Sequence, residues 1–403
     1  MNKLSIKNPF KTSFLSSFII TPEILPFSDH DIITQAHELS LFEQVFLNPD
    51  IEKSLISKNE LLTSYAISKA ELSSLTLNEA QDVYNLVLSN PDYDFIKEKL
   101  KKNKKLTQKD YDKLEFFNIA KTFRKLNQTP FSFKDLNINF ILKLHQSLTQ
   151  GLDIFEKFLP DFTVYKSENW RDNDTIRVGN YIPAPHVEIK KGIAELIKWL
   201  KNNKSVTNIA IFHTALYALH PFNNGNKRVC RILEHILLRQ LKINQKNLYS
   251  TSYYYHKQKL RYYKYLLYSL ERKNLNHFVS FIQEAITLSM ISVIKTSLET
   301  KKNEFINQQT NDQNIKNIIK PLIKRKRLQF KHLLKNVKQK MARQTFVTYL
   351  QKATNEKIVI KKDMGRSTYY NLNLTLPEEK TINNWLQFVK KRLPYIPDEF
   401  LLT

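Results

Sequence analysis

Apolar residues recur at three- and four-residue spacing along most of this 403-residue chain, and that recurrence commits the chain to helices. The pattern runs through Leu55 to Leu88, Phe131 to Leu148, Ile189 to Leu200, Ile209 to Leu219 and Arg228 to Leu241. Five glycines in the whole chain are about a fifth of the usual ~7%. Each is therefore expected where the backbone requires it. Hydrophobic residues make up 42%, enough for a sizeable core and too many for a disordered chain.

Two stretches break the helical pattern. Tyr165 to Pro185 mixes β-branched and aromatic residues with a Gly179-Asn180 turn and stops at Pro183 and Pro185, which reads as a short hairpin followed by a helix start. Lys357 to Leu372 alternates around Asp363-Met364-Gly365-Arg366 and reads as a second hairpin. The length suits two or three domains. The expected division is a helical region over 1–105, a central block over 106–290, a polar linker or solvated helix over 291–317, and a small domain over 318–403.

Composition excludes several classes. One cysteine, Cys230, leaves no intramolecular disulfide and no cysteine metal cluster, which fits a reducing compartment. Met1 to Phe10 lacks the pattern of a signal peptide, and no apolar run reaches the ~20 residues that span a bilayer. The expectation is a cytoplasmic protein without membrane insertion, with export by a specialised machine left open, as is a homodimer. The net charge of +25 reads either as a lysine-rich solvated surface or as attraction to nucleic acid, acidic protein or anionic membrane.

The chemistry concentrates in His220-Pro221-Phe222-Asn223-Asn224-Gly225-Asn226-Lys227-Arg228-Val229-Cys230-Arg231. It lies between two apolar-periodic segments, so the arrangement is helix, tight loop, helix. Pro221 ends the first helix; Gly225 and Asn226 tolerate the positive φ of a tight loop. The second helix then offers free N–H groups to an anion. Lys227, Arg228 and Arg231 add positive charge, and His220 stands on the far rim as a general base facing a polyphosphate cradle.

This segment resembles the Fic family motif, His-Pro-Phe-x-(Asp or Glu)-Gly-Asn-Gly-Arg-x-x-Arg, at His220, Pro221, Phe222, Gly225, Asn226, Arg228 and Arg231. The resemblance extends over roughly 106–285. It implies a Fic-type helical core with a small β-hairpin flap, which together with the winged helix-turn-helix domain read at the C-terminus makes the expected fold mainly α. It also implies protein adenylylation, in which AMP passes from ATP to a Ser, Thr or Tyr hydroxyl. His220 would be the base, and Gly225, Asn226, Lys227, Arg228 and Arg231 would form the phosphate site. Mg²⁺ would sit at position 224. The flap, with Arg177, Val178, Gly179 and Tyr181, would pair with the target protein's backbone.

The motif departs twice. Asn224 replaces the acidic Mg²⁺ ligand and should weaken metal binding. Lys227 replaces the second glycine, and its side chain would intrude on the phosphate loop. Asn-Lys-Arg at this place resembles the Doc kinases, so γ-phosphate transfer is an alternative, as is a catalytically weakened DNA-binding regulator. Thr63 to Leu72 resembles the family's inhibitory segment. Ser68 stands at the place of the inhibitory Glu, which reads as its absence; the alternative is that Glu71, nearly one turn on, replaces it.

From Ile318 on, the chain looks like a winged helix, with helices at Lys331 to Val337 and Arg343 to Leu350 and the second hairpin as the wing. Lys320 to Arg343 holds ten Lys or Arg and no acid. Lys324, Arg325, Arg343, Gln344 and Thr345 are the candidate DNA contacts; the alternative is a protein-docking domain.

Overall fold

The computed structural model describes residues 4–12, 14–43, 49–102, 104–337, 341–364 and 367–397. The chain packs as two compact units. One holds residues 1–37 and 49–289, and the other 38–48 and 290–403. Most of the N-terminal hundred residues thus belong to the same unit as the motif. A short stretch near residue 40 joins the C-terminal unit, where Trp385 Nε1 donates to Glu38 at 2.7 Å.

The helices begin with α1 (Asp29–Glu43), α2 (Pro49–Lys69), α3 (Leu77–Ser89), α4 (Phe95–Lys101), α5 (Gln108–Gln128) and α6 (Ile138–Thr149). They continue with α7 (His186–Asn202), α8 (Val206–Leu219), α9 (Asn226–Gln240), α10 (Thr251–Lys257), α11 (Lys259–Glu271) and α12 (Asn276–Gln309). Local chemistry sets their starts. Thr76 with Glu79 and Thr107 with Asp110 form capping boxes at α3 and α5, each satisfying two otherwise orphaned donors. The apolar run from Leu55 to Leu88 is not one helix: it breaks after Lys69 into a turn in which Leu72 has a φ of +67°. Glu71 sits in that turn.

From Ile209 to Leu219 every residue of α8 is buried, as expected of a helix stretch that is apolar all round. Gly192 of α7 allows the close approach on one side, since a Cβ there would lie 2.7 Å from Leu219 Cδ2. The expected Tyr165 to Pro185 hairpin is reduced to one antiparallel bridge, Val178 with Tyr181, around Gly179 at a φ of +61°. Tyr181 is turned inward, its hydroxyl donating to the Ala218 carbonyl at 2.9 Å.

In the second unit follow α13 (Gln313–Ile319), α14 (Pro321–Lys324), β1 (Leu328–Gln329), α15 (Phe330–Asn336), α16 (Arg343–Asn355), β2 (Val359–Met364), β3 (Ser367–Leu372) and α17 (Pro377–Lys390). The strands form a sheet in the order β1-β3-β2. The expected second hairpin is present, with Val359 opposite Leu372 and Met364 opposite Ser367; its turn residues Gly365 and Arg366 lie outside the described residues. Ile315, Ile318, Leu333, Phe346, Leu350 and Ile358 form the core. The polar stretch expected as a linker or solvated helix is helical through Gln309. Lys302 within it is buried and paired with Glu379 at 2.9 Å.

One 18-residue window in α12 has a mean hydropathy of 1.5 and passes the length and composition test for a membrane span, contrary to the expectation from the sequence. That window is 83% buried in the protein, the signature of a core helix.

Candidate active site

The loop between α8 and α9 is held from inside. α8 ends at His220, which adopts the left-handed conformation and donates its N–H to Leu216 and Tyr217 carbonyls, both at 3.2 Å. Asn226 then closes the loop on itself. Its Oδ1 accepts from Phe222 N at 3.0 Å, and its Nδ2 donates to the Phe222 carbonyl at 2.7 Å. The Asn226 side chain is therefore spent on shaping the loop rather than offered to a phosphate. Gly225 precedes α9 with a φ of +85° and no side-chain cap. The first N–H groups of α9 thus lack a capping side chain, which is the condition for anion binding at a helix start.

Two residues that sequence spacing did not single out brace this loop. His145 of α6 stacks on Phe222 with ring centroids 3.8 Å apart, and its Nε2–H donates to the Asn224 carbonyl at 3.1 Å. Burial drops its pKa to about 4, so the ring is neutral and keeps that donor role. Arg171 donates from Nε to the His220 carbonyl at 2.8 Å, while its backbone N donates to the Pro221 carbonyl at 2.8 Å. The rest of its guanidinium holds Asp174 and the carbonyls of Asn173 and Ala184. Arg171 thereby ties the backbone of His220 to the flap. Both contacts are remote in sequence, and nothing in the local pattern signals them.

His220 is not on an open rim: it is 8% exposed. Its Nδ1 is buried with no hydrogen-bond partner. Burial, with Arg171 and Lys227 adding positive charge nearby, lowers its pKa to about 3. The imidazole is neutral at physiological pH, the state a proton acceptor requires.

The three motif cations meet different fates. Lys227 does not intrude on the loop. It swings toward the end of α2, donating to the Ala70 carbonyl at 3.1 Å and lying 3.5 Å from Glu71 Oε2. Arg228 is fully buried. It lies 3.3 Å from Glu115 and 3.8 Å from Glu71, and donates to the Tyr165 hydroxyl at 2.8 Å. Arg231 donates to the Ala66 carbonyl at 3.2 Å and lies 4.4 Å from the Tyr262 ring centre. Among the described residues it has no carboxylate partner.

Glu71 is therefore at the cations rather than on a solvated surface. Burial pushes its pKa up, but Lys227, Arg228 and Arg231 outweigh that and hold it below the ordinary carboxylate value. Ser68, at the position aligned with the inhibitory Glu, instead donates to Glu115 at 3.2 Å. Glu115 is pushed to about 7 by burial, against the pull of Arg228 and with Glu71 adding to the rise. The space beside Arg231, lined also by Ala66, Tyr255 and Tyr262, is about 10 Å³, roughly one water.

The residues present do not make a Mg²⁺ site by themselves. Asn224 Oδ1 accepts from Gly225 N at 2.7 Å. Among the described residues no group of three or more His, Cys, Asp or Glu is placed to hold a metal.

Residues 135–238 match the Fic/DOC family model, a range that includes His145, Arg171 and the whole motif. A curated relative, a probable protein adenylyltransferase from Aquifex aeolicus, is 26% identical over 131 residues, which is 31% of this chain and 37% of that relative. The alignment thus spans little more than a third of that relative's length. A Fic family protein from Desulfovibrio desulfuricans shares the fold at a TM-score of 0.50 and 18% identity, covering 87% of this chain and 99% of that one. Fic-1 from C. elegans aligns at a TM-score of 0.45 and 16% identity, over 66% of this chain and 72% of that one.

Proposed function

We propose, from the match of residues 135–238 to the Fic/DOC family model, that this chain is a protein adenylyltransferase held in a closed state by Glu71. The reading rests on one observation: a buried, neutral His220 shares a loop with an uncapped helix start and three cations, one of which, Arg231, has no carboxylate partner among the described residues. In this reaction His220 takes the proton of a Ser, Thr or Tyr hydroxyl on a target protein. The freed oxygen attacks the α-phosphorus of ATP. The O–Pα bond forms as the bond from Pα to the bridging oxygen breaks, and pyrophosphate leaves with that electron pair. The helix N-terminus and the motif cations take up the charge of the departing group. Arg231 meets the terminal phosphates first, and Lys227 joins it once Glu71 withdraws. Arg228, fixed by Glu115 and Tyr165, holds the helix in place.

Asn226-Lys227-Arg228 keeps γ-phosphoryl transfer as the second reading, and a nucleotide-binding regulator without turnover as the third. Incubation with a cell lysate and ATP labelled at either the α- or the γ-phosphate separates them. AMP transfer predicts protein-bound α-label that falls about 10²–10⁴-fold in His220→Ala, the usual loss of a general base. Label from the γ-phosphate alone supports the kinase, and no label in either case supports the regulator.

For the C-terminal unit we propose a winged-helix module. The order α15, α16, β2, β3, with Arg343, Gln344 and Thr345 exposed at the start of α16 and Lys324 and Arg325 exposed before β1, supports a nucleic-acid-facing surface.

A further inference from the structure

The N-terminal part of α2 and the C-terminal end of α9 enclose a cavity of about 500 Å³, lined among others by Lys53, Arg124, Arg239 and Lys246 against Glu52 and Glu60. That volume lies in the range that takes a small ligand. It stands apart from the motif. On α2, Glu52 to Glu60 line it, while Ala66, and Ala70 just past the helix end, hold the motif cations; on α9, Arg239 lines it while Lys227 to Arg231 belong to the motif. At their nearest, Glu60 and Ala66 are separated by about 9 Å of helical rise on α2, and Arg239 and Arg231 by about 12 Å on α9.

The charges in the cavity do not balance. Glu52 pairs with Lys246 at 3.4 Å. Glu60 is saturated: it accepts from the Tyr84 hydroxyl at 2.7 Å, from Arg124 at 3.0 Å and from Asn127 Nδ2 at 3.3 Å. Arg239 is left with neutral partners. Its NH1 donates to Asn127 Oδ1 at 3.1 Å and its NH2 to the Asn127 carbonyl at 3.3 Å, and its Nε is buried without a partner. His235 donates to the same Asn127 Oδ1 at 2.9 Å. Its pKa is lowered to about 3 by burial and by Arg239, so it stays neutral and brings no compensating charge. Lys53 is exposed at the cavity edge with no ion-pair partner among the described side chains.

Glu60 acts on Arg239 only at longer range, its oxygens being taken by Tyr84, Arg124 and Asn127, so this half-buried guanidinium has no carboxylate in direct contact and is open to an anion. Two unpaired cations match a dianion, and a planar guanidinium beside a lysine is the usual recognition set for phosphoryl oxygens. We propose that this cavity is a second ligand site, which binds a small molecule through a phosphoryl dianion held by Arg239 and Lys53.

The test uses the full chain carrying Arg231→Ala, so that the motif does not contribute binding. Radiolabelled inorganic phosphate is measured by equilibrium dialysis at constant ionic strength. The expected result is one saturable site, weakened about tenfold or more by adding Arg239→Gln, the loss of a hydrogen bond to a charged group. Lys53→Gln, at an exposed position, should weaken it severalfold, and it decides the matter alone if Arg239→Gln fails to fold by circular dichroism. Competition with ribose 5-phosphate then tells whether the cavity reads the phosphoryl group alone or a sugar with it; either order of affinity sustains the site. Absence of a saturable site in the Arg231→Ala chain, or binding unchanged by Lys53→Gln and by a folded Arg239→Gln, overturns the proposal. The readout is independent of AMP transfer, so failure of one reading leaves the other standing.

Discussion

His220 has been removed from water, and that sets its pH behaviour. A histidine held at a pKa of about 3 is neutral throughout the range in which an ordinary imidazole, near 6.5, would titrate. The pH profile of kcat/KM, which reports groups of the free enzyme, is therefore expected to show no acid limb near 6.5 from His220. A limb there that vanishes when His220 is replaced would contradict its burial. The sign for stability runs the same way for His145 and His235, at about 4 and about 3. The unfolded chain binds protons on these rings below about 6.5 and the folded one does not, so their contribution is present above that pH and is lost as the pH falls toward the folded values. Glu115, raised to about 7, acts oppositely: its contribution is complete below the ordinary carboxylate pKa and is lost as the pH rises through 7. Of these residues only His220 was legible in the sequence, because its neighbours along the chain carry the signal. His145, Arg171 and Glu115 act on the loop from 49 or more residues away, and no periodicity reveals that. Asn226, Lys227 and Arg228 were expected at the site from the motif, but no feature of the sequence indicated the directions of their side chains.

At the level of elements, periodicity located α7, α8 and α9 because each buries a face or its whole girth. It failed between α2 and α3, where apolar spacing continues across a turn. That turn decides how Glu71 is placed: continued as a helix, the chain would have carried it elsewhere. It failed again at the flap, where β-branched residues suggested strands but a single bridge forms, anchored by Tyr181 and Arg171. The close approach of α7 to α8 at Gly192 lies beside the motif, since Leu219 immediately precedes His220. Gly192→Ala adds a methyl into fully buried Leu219. Overpacking of this kind costs about 1–3 kcal/mol, against a gain of up to about 1 kcal/mol in helix propensity. A net loss of about 1–2 kcal/mol is expected in urea unfolding. A gain in stability would mean that α7 and α8 separate more readily than their packing indicates.

On the scale of the whole molecule, the chain joins two units with different surfaces. The two compact units divide at residues 289 and 290, and the sequence reading ended its central block at 290. It did not show that the stretch near Glu38 joins the C-terminal unit, since the contact with Trp385 spans 347 positions of sequence. If the C-terminal unit binds duplex DNA as proposed, the logarithm of affinity should fall linearly with the logarithm of salt concentration, by about 0.9 for each phosphate neutralised. Arg343→Glu should then reduce both the affinity and the slope. Affinity that does not change with salt or with that substitution would favour a protein partner for this unit.

The central claim is that Glu71 holds an AMP-transfer site closed by occupying its cations. The most direct measurement compares the wild-type chain, Glu71→Ala and Glu71→Ala with His220→Ala, each given α-labelled and γ-labelled ATP and a cell lysate. Glu71→Ala frees Lys227 and relieves Arg228 of one of its two carboxylates, and it is expected to raise protein-bound α-label about tenfold or more, the effect of freeing one charge-assisted contact. Adding His220→Ala should return the signal to background, and the γ-label should stay there throughout. Alpha-label no higher in Glu71→Ala than in the wild-type chain, or γ-label alone in any of the three, would contradict the account.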